Sequence, residues 1–402
     1  MKRAISILIA VVSSGFLASN LLAQAAGSEE ASKPATPAAN NVQTTTPELN
    51  PTQPAARRPR FVPVLVAATD GSGNPATGLT KDQFAILDSG HAVQPLQIFK
   101  AQDVPLHLAI VLLGSTPTFS QQQAAAIELV KRMVRPKVDE AFVVTARGKK
   151  PWPSDRLEWK QDPDELVKTI EGLDRNAGLN DAFDFDLQTT STGNEGARDT
   201  LQTYSVAGRS VFDAVFYMMN ADARPARRVI VTFRDPWAHS PGFGIQVNST
   251  VEGRVQQFIA VAQQMHIATF VIGLEDSKFN GITDNTIGNT YVSIHAGDNG
   301  GGGEGDRNFD RAMEKERLHA YDAGKTNIQR LGTETGGTTF FSTKKNFPDA
   351  VTGIANLLAG QYIVTFTPED VSGPLHTLKV SSSNGGKVLA PTAFFYGNPP
   401  AK

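Results

Sequence analysis

Hydroxyl and carboxylate side chains follow two apolar segments that are typical of buried strands, and such oxygens could together bind a small cation. The first apolar segment, Ile110–Leu113, runs into Gly114-Ser115-Thr116-Pro117-Thr118. The second, Val229–Phe233, ends at Arg234-Asp235, and Gly208-Arg209-Ser210 lies between the two along the chain. Mg²⁺ and Mn²⁺ prefer oxygen ligands in octahedral geometry. These residue types therefore allow cation binding, provided that the fold brings the segments together.

Other catalytic or nucleotide-binding patterns are incomplete in this sequence. There is no cysteine, which excludes disulfides, zinc–thiolate sites and thiol nucleophiles. The sequence has neither a Gly-x-Ser-x-Gly elbow nor a His-Glu-x-x-His motif. Ala323-Gly324-Lys325-Thr326 imitates the end of a phosphate-binding loop, but His319 stands at the required glycine position. We therefore expect no enzymatic activity, and a hydrolase that uses Asp184 in an acidic insertion is kept as an alternative.

Length and composition indicate a globular chain of two or three domains. The 402 residues exceed the size of one compact domain. A composition of 40% hydrophobic and 19% charged residues is ordinary for globular proteins. The formal net charge is −2, and no basic run or alternation of aromatic and basic residues occurs. We therefore expect no nucleic-acid partner.

The amino terminus has the features of a secretory signal peptide. Met1-Lys2-Arg3 is followed by the mostly apolar stretch Ile5–Leu17 and by the small-x-small cleavage pattern Ala23-Gln24-Ala25. We assign 1–25 to the signal peptide, with an uncleaved anchor as the alternative. The Pro-, Ala- and Thr-rich segment 26–60 is predicted to be a disordered spacer. The sequence contains no later apolar stretch of membrane length. We expect an exported protein, either periplasmic or extracellular, without a membrane span after signal cleavage.

The central region, 104–360, alternates apolar strands with helical segments. The predicted strands are Leu106–Leu113, Ala141–Ala146, Arg228–Phe233 and Ala268–Gly273. The predicted helices are Ser120–Val134, Pro163–Leu173, Ser210–Asn220, Thr250–Met265, Tyr321–Leu331 and Phe347–Leu358. Nearly continuous apolar strands that alternate with helices predict an α/β fold, a doubly wound and mostly parallel sheet with helices on both faces.

Two flanking segments, 61–103 and 361–402, contain alternating strands that together predict one small antiparallel β-module. Two insertions interrupt the central region. The insertion 176–203 is acidic and contains Asp181, Asp184 and Asp186, and the insertion 276–317 is rich in glycine. Both are long for loops within a compact domain, and we expect them to be flexible surface loops.

The order and spacing of the strand ends resemble those of the von Willebrand factor type A domain. That family begins its metal site with Asp-x-Ser-x-Ser, where this chain has Gly114, Thr116 and Thr118. Three further motifs occur in sequence order, Gly78–Phe84, Leu331–Gly337 and Gln361–Val364. With them, the chain from about Phe61 to its end resembles the von Willebrand factor A-related proteins of Acidobacteria.

The resemblance implies a metal site that has lost one carboxylate. By motif position, Thr116 and Thr118 stand for the first-loop hydroxyls, Ser210 for the second-loop hydroxyl and Asp235 for the third-loop carboxylate, whereas Gly114 has no ligating side chain. Hydroxyls offset little of a divalent charge. An adjacent arginine, Arg209 or Arg234, could pair with Asp235 in place of the cation. The structural alternative is that Ser210 caps a helix and Asp235 fixes a loop.

The resemblance further implies an exported protein-binding or adhesion-type module with a degenerate metal-ion-dependent adhesion site. Its partner would be a protein of the cell envelope or extracellular space, bound through a loop rim without a cation. That predicted loop rim consists of Ser115, Thr116, Thr118, Arg209, Ser210, Asp235 and Trp237. We expect no cofactor. The alternatives are a cation-dependent adhesion domain, with Mg²⁺ or Mn²⁺ at Thr116, Thr118, Ser210 and Asp235, and a structural component of the envelope.

Overall fold

The computed structural model describes residues 61–114, 116–147, 150, 157–179, 210–221, 226–236, 248–275, 319, 321–343, 345–369, 374–384 and 386–396. The predicted signal peptide, the predicted spacer and the insertion 276–317 lie outside these ranges. Of the insertion 176–203, only 176–179 is described.

The described strands and helices follow in chain order. The strands are β1 Val62–Ala68, β2 Phe84–Asp88, β3 His91–Val93, β4 Pro95–Lys100, β5 Leu106–Leu113, β6 Glu140–Ala146, β7 Arg227–Arg234, β8 Ile267–Leu274, β9 Thr338–Ser342, β10 Gln361–Phe366, β11 Leu375–Ser382, β12 Val388–Leu389 and β13 Ala393–Phe395. The helices are α1 Phe119–Met133, α2 Pro163–Glu171, α3 Val211–Ala221, α4 Asn248–Gln264, α5 321–333 and α6 Phe347–Ala359.

A parallel sheet with the strand order β6-β5-β7-β8-β9 forms the centre of the molecule. Every residue of β5, β6 and β8 is buried, which is the pattern of strands covered on both faces. Helix residues such as Leu129 of α1, Ile259 of α4 and Ile354 of α6 belong to the same apolar core. The predicted α/β class with a parallel sheet agrees with this architecture.

The strand order places a topological switch point between β5 and β7. The chain passes from β5 to β6 on one side of the sheet and then returns to build β7, β8 and β9 on the other side. In open α/β sheets, ligands bind in the crevice at the carboxyl ends of the strands where this reversal occurs. The crevice is therefore bordered by Gly114, which follows β5, and Asp235, which follows β7.

An antiparallel module is assembled from both flanks of the described chain. Its two sheets have the orders β12-β1-β10-β4 and β13-β11-β2-β3. A second apolar core lies in this module and includes Val64, Ile86, Phe366 and Phe394. Tyr362 ties the module together, because its hydroxyl accepts a hydrogen bond from the amide of Leu79 at 3.1 Å and donates one to the carbonyl of Ala76.

Arg227 joins the antiparallel module to the parallel sheet. Its guanidinium donates to the carbonyl of Leu358 at 3.1 Å, to Oε1 of Gln361 at 2.9 Å and to the carbonyl of Val104 at 3.3 Å. The side chain is buried, and this burial lowers the pKa of Arg227 to about 10 even though the charge of Asp139 acts in the opposite direction. One side chain at the start of β7 thus holds three chain segments together.

Asp139 fixes the amino ends of β5 and β6. The side chain of Asp139 is fully buried and accepts from the Leu106 amide at 2.7 Å. Arg135 forms a fork with both of its oxygens at 2.7 and 2.8 Å. Burial raises the pKa of Asp139, but the hydrogen bonds from Arg135 and from the two amides outweigh this, so that its pKa lies below the ordinary value.

Within the described residues, no helix combines the length and the apolar character that a membrane crossing would require.

Candidate functional site at the carboxyl edge of the parallel sheet

Gln122 organises the loop that follows β5. Its side chain is fully buried, and its Oε1 accepts a hydrogen bond from the amide of Leu113 at 2.8 Å. Its Nε2 lies 3.2 Å from the carbonyl oxygen of Leu113, 2.9 Å from Oγ1 of Thr116 and 3.2 Å from Oγ1 of Thr118. Thr116 also donates its hydroxyl proton to the carbonyl of Leu113 at 3.0 Å. The two first-loop hydroxyls are therefore engaged with an amide donor from α1.

The backbone of two neighbouring segments lies close to the Cα of Gly114. A Cβ at this position would lie 2.7 Å from Cγ2 of Thr145, 2.8 Å from the carbonyl oxygen of Arg175 and 2.9 Å from that of Ala146. The segment 174–179 is held there because the amide of Leu179 donates to the carbonyl of Thr145 at 2.8 Å. Backbone atoms thus fill the space that a side chain at position 114 would need.

Asp235 forms an ion pair with Arg147 across the end of β5. Their closest atoms, Oδ2 and Nη1, are 3.7 Å apart, and the side chains are only 13% and 8% exposed. The strand registers pair Leu113 with Ala146 and Val111 with Thr232, so their continuation places Gly114 between Arg147 and Asp235. Neighbouring strands lie about 4.8 Å apart, and only a long side chain can span two such spacings. A guanidinium charge therefore pairs with the third-loop carboxylate at the switch point.

Ser210 forms the amino-terminal cap of α3. Its Oγ accepts a hydrogen bond from the amide of Asp213 at 3.2 Å, and it donates to Oδ2 of Asp213 at 2.8 Å. The amide of Ser210 in turn donates to the same carboxylate at 3.3 Å. This reciprocal arrangement is a capping box, in which a side chain at each end satisfies an amide of the first helical turn. The capping role that the sequence allowed for Ser210 is therefore present.

Arg234 connects the end of β7 to α3. The whole residue is buried, and its guanidinium carbon lies 5.3 Å from the centre of the Phe212 ring. A guanidinium over an aromatic ring is attracted by the electron-rich face of the ring quadrupole. This contact brings the start of α3 close to the strand end that carries Asp235.

The carboxyl edge continues past β8 and β9 with a mixed aromatic and charged group. Lys325 of α5 pairs with Glu275 at 3.0 Å, and its ammonium lies 4.6 Å from the centre of the Phe341 ring and 5.8 Å from that of Tyr321. Burial, and then the charges of Glu275, Asp235 and Asp322, raise the pKa of Tyr321 to about 12. Tyr321 thus stays protonated at neutral pH and lies within the electrostatic reach of Asp235.

The predicted loop rim is described in part. Ser115, Arg209 and Trp237 lie outside the described residues. Thr116 and Thr118 are joined to each other through Gln122, and Asp235 is joined to Arg147, whereas Ser210 is engaged with its own helix. Among the described residues, no group of three or more His, Asp or Glu side chains is placed to hold a metal ion.

Sequence analysis missed Gln122 and Arg147, the two side chains that engage the predicted ligands. The sequence offers Arg209 or Arg234 as an arginine that could pair with Asp235, whereas the ion pair in the structure is made by Arg147. Arg147 could have been found from its position directly after β6, since the carboxyl ends of parallel strands meet at one edge of the sheet. Gln122 lies four residues after Thr118, which is one helical turn.

Comparisons with known proteins give distant structural neighbours. No protein-family model matches the chain, and no curated protein matches it. The PilB minor pilin from Streptococcus sanguinis shares 12% identity at a TM-score of 0.34, covering 63% of this chain and 62% of the pilin. The three N-terminal domains of the type V pili tip protein Mfa5 from Porphyromonas gingivalis share 12% identity at a TM-score of 0.21, covering 50% and 34%.

The human COPII-coat protein Sec24c shares 8% identity at a TM-score of 0.26, covering 73% of this chain and 44% of Sec24c. The chain therefore spans less than two thirds of each of these three structures. Similarity at such low TM-scores does not establish a shared fold, and we draw no functional conclusion from it.

Proposed function

We propose that this protein is an exported, non-enzymatic binding module of the von Willebrand factor A type, which recognises a protein partner without a bridging cation. The observation that carries the proposal is the ion pair between Arg147 and Asp235 across the end of β5. The partner would contact the loop rim at the β5–β7 switch point, in the cell envelope or the extracellular space. Export rests on the signal-peptide pattern in 1–25.

The fold supports the location of this surface. The strand order β6-β5-β7-β8-β9 reverses direction at β5 and β7, and in open α/β sheets ligands bind at that reversal. An isolated antiparallel bridge between Ala141 and Lys160 adds a short antiparallel contact beside the parallel edge strand β6. The site residues of the proposed family follow strands at this same carboxyl edge.

The donor chemistry favours cation-independent recognition. A magnesium or manganese ion needs several oxygen ligands that are free to face it. Here Asp235 is paired with a guanidinium, and the hydroxyls of Thr116 and Thr118 accept hydrogen bonds from the Gln122 amide. A second positive charge beside Arg147 would be repelled. The described donors are therefore a poor fit for a divalent cation.

Capture of partners from a cell-envelope extract of the source organism tests this proposal. Immobilised wild-type protein is exposed to the extract in Mg²⁺ and in EDTA, and retained proteins are identified by mass spectrometry. We expect the same partners under both conditions. We expect the Arg147→Gln protein to retain none of these partners. The substitution removes the guanidinium that pairs with the largely buried carboxylate of Asp235, and it thereby disturbs the loops that border the crevice.

Arg132→Gln is the matched control, since it removes an arginine whose ion pair with Glu128 is exposed and lies at the far end of α1. Thermal unfolding of each variant separates a loss of partner from a loss of fold. Partners retained only in Mg²⁺, or a saturable calorimetric titration with Mg²⁺ or Mn²⁺ at micromolar concentrations, would instead support the cation-dependent alternative. Self-association without any captured partner would support the structural one.

A further inference from the structure

An apolar groove lies at the opposite end of the molecule, between the antiparallel module and the amino ends of the parallel strands. Its volume is about 410 Å³, which is within the range of ordinary small-ligand pockets. The apolar wall includes Phe61, Leu65, Phe99, Ile363 and Met265. None of the described rim residues, Thr116, Thr118, Ser210 and Asp235, lines this groove.

The apolar wall is a consequence of strand register. Leu65 of β1 pairs with Ile363 of β10, and Ile363 pairs with Phe99 of β4. Cross-strand partners project from the same face of a sheet, so these three side chains form one row on the face directed away from the core of the module. Phe99 is 41% exposed and Phe61 is 51% exposed, although both are large and apolar. Exposed apolar side chains that line a groove together mark a binding surface.

The other side of the groove is positively charged. Arg227 and Arg228 carry this charge, and the imidazole of His266 lines the groove with them. No Asp or Glu occurs among the described residues of the lining. Arg228 is held in place by a hydrogen bond from Nη1 to the carbonyl of Met265 at 3.3 Å. Its register partner on β8 is Ile267, the residue that directly follows His266. The guanidinium of Arg228 on β7 and the imidazole of His266, in the turn before β8, therefore line the groove side by side.

The pKa of His266 depends on its burial and on the positive charge of Arg228. His266 adopts a left-handed backbone conformation with φ of 54°, in the turn that leads into β8. Burial, and then the charge of Arg228, lower its pKa, so that the imidazole is neutral at pH 7. A bound anion would oppose the effect of Arg228.

We propose that this groove binds an amphiphile with one apolar chain and an anionic head, specifically an alkyl carboxylate. The chain lies along the row formed by Leu65, Ile363 and Phe99, and the carboxylate lies beside Arg228 and His266. The apolar wall accounts for the chain, and the two arginines of the lining, Arg227 and Arg228, account for the sign of the head group. The site is independent of the function proposed for the loop rim.

Calorimetric titration of the intact protein with decanoate, below the concentration at which decanoate forms micelles, tests this site. We expect saturable binding of one decanoate per chain. Decyltrimethylammonium has the same chain and the opposite charge, and we expect it to bind at least about tenfold more weakly, because the lining is cationic. Equal affinity for both amphiphiles, or no binding of decanoate, would overturn the proposal.

Two variants divide the site into its apolar and charged parts. Phe99→Ala should weaken decanoate binding by about fivefold or more, since it removes an apolar wall. Leu96→Ala is the matched control, because Leu96 is 47% exposed on the same strand but does not line the groove. Arg228→Gln should abolish the preference for decanoate over decyltrimethylammonium. If Phe99→Ala and Leu96→Ala bind decanoate alike, the groove is not the site.

Two further measurements separate this occupant from others. In an NMR titration, decanoate should raise the pKa of the His266 imidazole, whereas decanol, which has no charge, should leave it unchanged. An identical response to both would contradict the placement of the head group. Light scattering tests occupancy by a second copy of the chain, and a dimer that Phe99→Ala dissociates and decanoate does not would contradict the proposal.

Discussion

Gly114 occupies a position at which the surrounding atoms leave no room for a side chain. The carbonyl oxygens of Arg175 and Ala146 lie where a side chain would begin, and the methyl group of Thr145 closes the remaining space. By the sequence resemblance alone, Gly114 stands where the motif has a metal-binding aspartate, and Gly114→Asp would be expected to restore that ligand. The local geometry instead makes the absence of a side chain a requirement of close packing.

Gly114→Asp should therefore destabilise the fold. Overpacking of a tight site costs about 1–3 kcal/mol, and the free energy of unfolding in urea should fall by that amount. Gly78→Asp is the control, because a Cβ at Gly78 meets nothing within 4 Å. A Gly114→Asp protein of wild-type stability that gains Mg²⁺ binding would show that the segment 174–179 moves aside easily.

Asp139 fixes the positions of the amino ends of strands β5 and β6. Its carboxylate satisfies the amides of Leu106 and Arg135 and also neutralises the Arg135 guanidinium. The side chain of Asp139 is fully buried, whereas that of Arg135 is 36% exposed and can be solvated without its partner. The start of β5 is thus held by charge as well as by the apolar core.

Asp139→Asn should lower the free energy of unfolding by about 1–3 kcal/mol, measured in urea near neutral pH, because the uncharged amide cannot replace all the hydrogen bonds that the carboxylate accepts. Glu128→Gln, which breaks an exposed pair on the neighbouring helix α1, should cost less than about 1 kcal/mol. Similar losses in the two variants would mean that burial adds nothing to the Asp139 pair.

The same carboxylate should make the wild-type protein sensitive to acid. The pKa of Asp139 is lowered in the folded state, so the unfolded chain binds more protons as the pH falls, and this part of the stability disappears. It is present above the ordinary value of 3.8 and is lost as the pH falls through the folded pKa. Urea unfolding between about pH 5 and about pH 2 should show a smaller loss for Asp139→Asn than for wild type.

At the scale of the whole molecule, Arg227 couples two separate apolar cores. Its hydrogen bonds reach the linker before β5, the end of α6 and the start of β10. The parallel sheet and the antiparallel module are consequently joined by polar contacts as well as by the packing of Leu65 and Ala67 against the main core.

Arg227→Met should separate the unfolding of the two parts. The variant keeps an apolar stem but leaves the acceptors at Leu358 and Gln361 without their donor, at a cost of about 1–3 kcal/mol each. Differential scanning calorimetry should then resolve two transitions. Arg330→Met, which removes an arginine from the surface of α5, should unfold in the same way as wild type. A single cooperative transition in Arg227→Met would place the coupling elsewhere.

Local sequence patterns predict the elements of this fold well where burial is continuous. The strand Leu106–Leu113 was predicted with the bounds it has, because an uninterrupted apolar run is bounded by polar residues. The strand Thr338–Ser342 was missed, since it mixes hydroxyl and aromatic residues at a partly exposed edge of the sheet. Periodicity carries little information for such an edge strand.

The candidate site could be predicted only in part for a different reason. The positions of Thr116, Thr118, Ser210 and Asp235 after their strands or before their helix follow from local signals. Which side chain engages them depends on the lateral order of the strands, and a single sequence does not specify that order. Arg147 reaches Asp235 only because β5 lies between β6 and β7.

The closure of the antiparallel module also affects how the chain is made. The Leu79 amide donates a hydrogen bond to the Tyr362 hydroxyl, and these two residues are 283 positions apart in the chain. During synthesis, β1 must therefore remain without its partners β10 and β12, and β2 without its partner β11, while the parallel sheet emerges. Such distant pairings form slowly. A chain interrupted before Gln361 would leave the edge of β1 unpaired. Unpaired strand edges can pair with other chains, so such a product should aggregate.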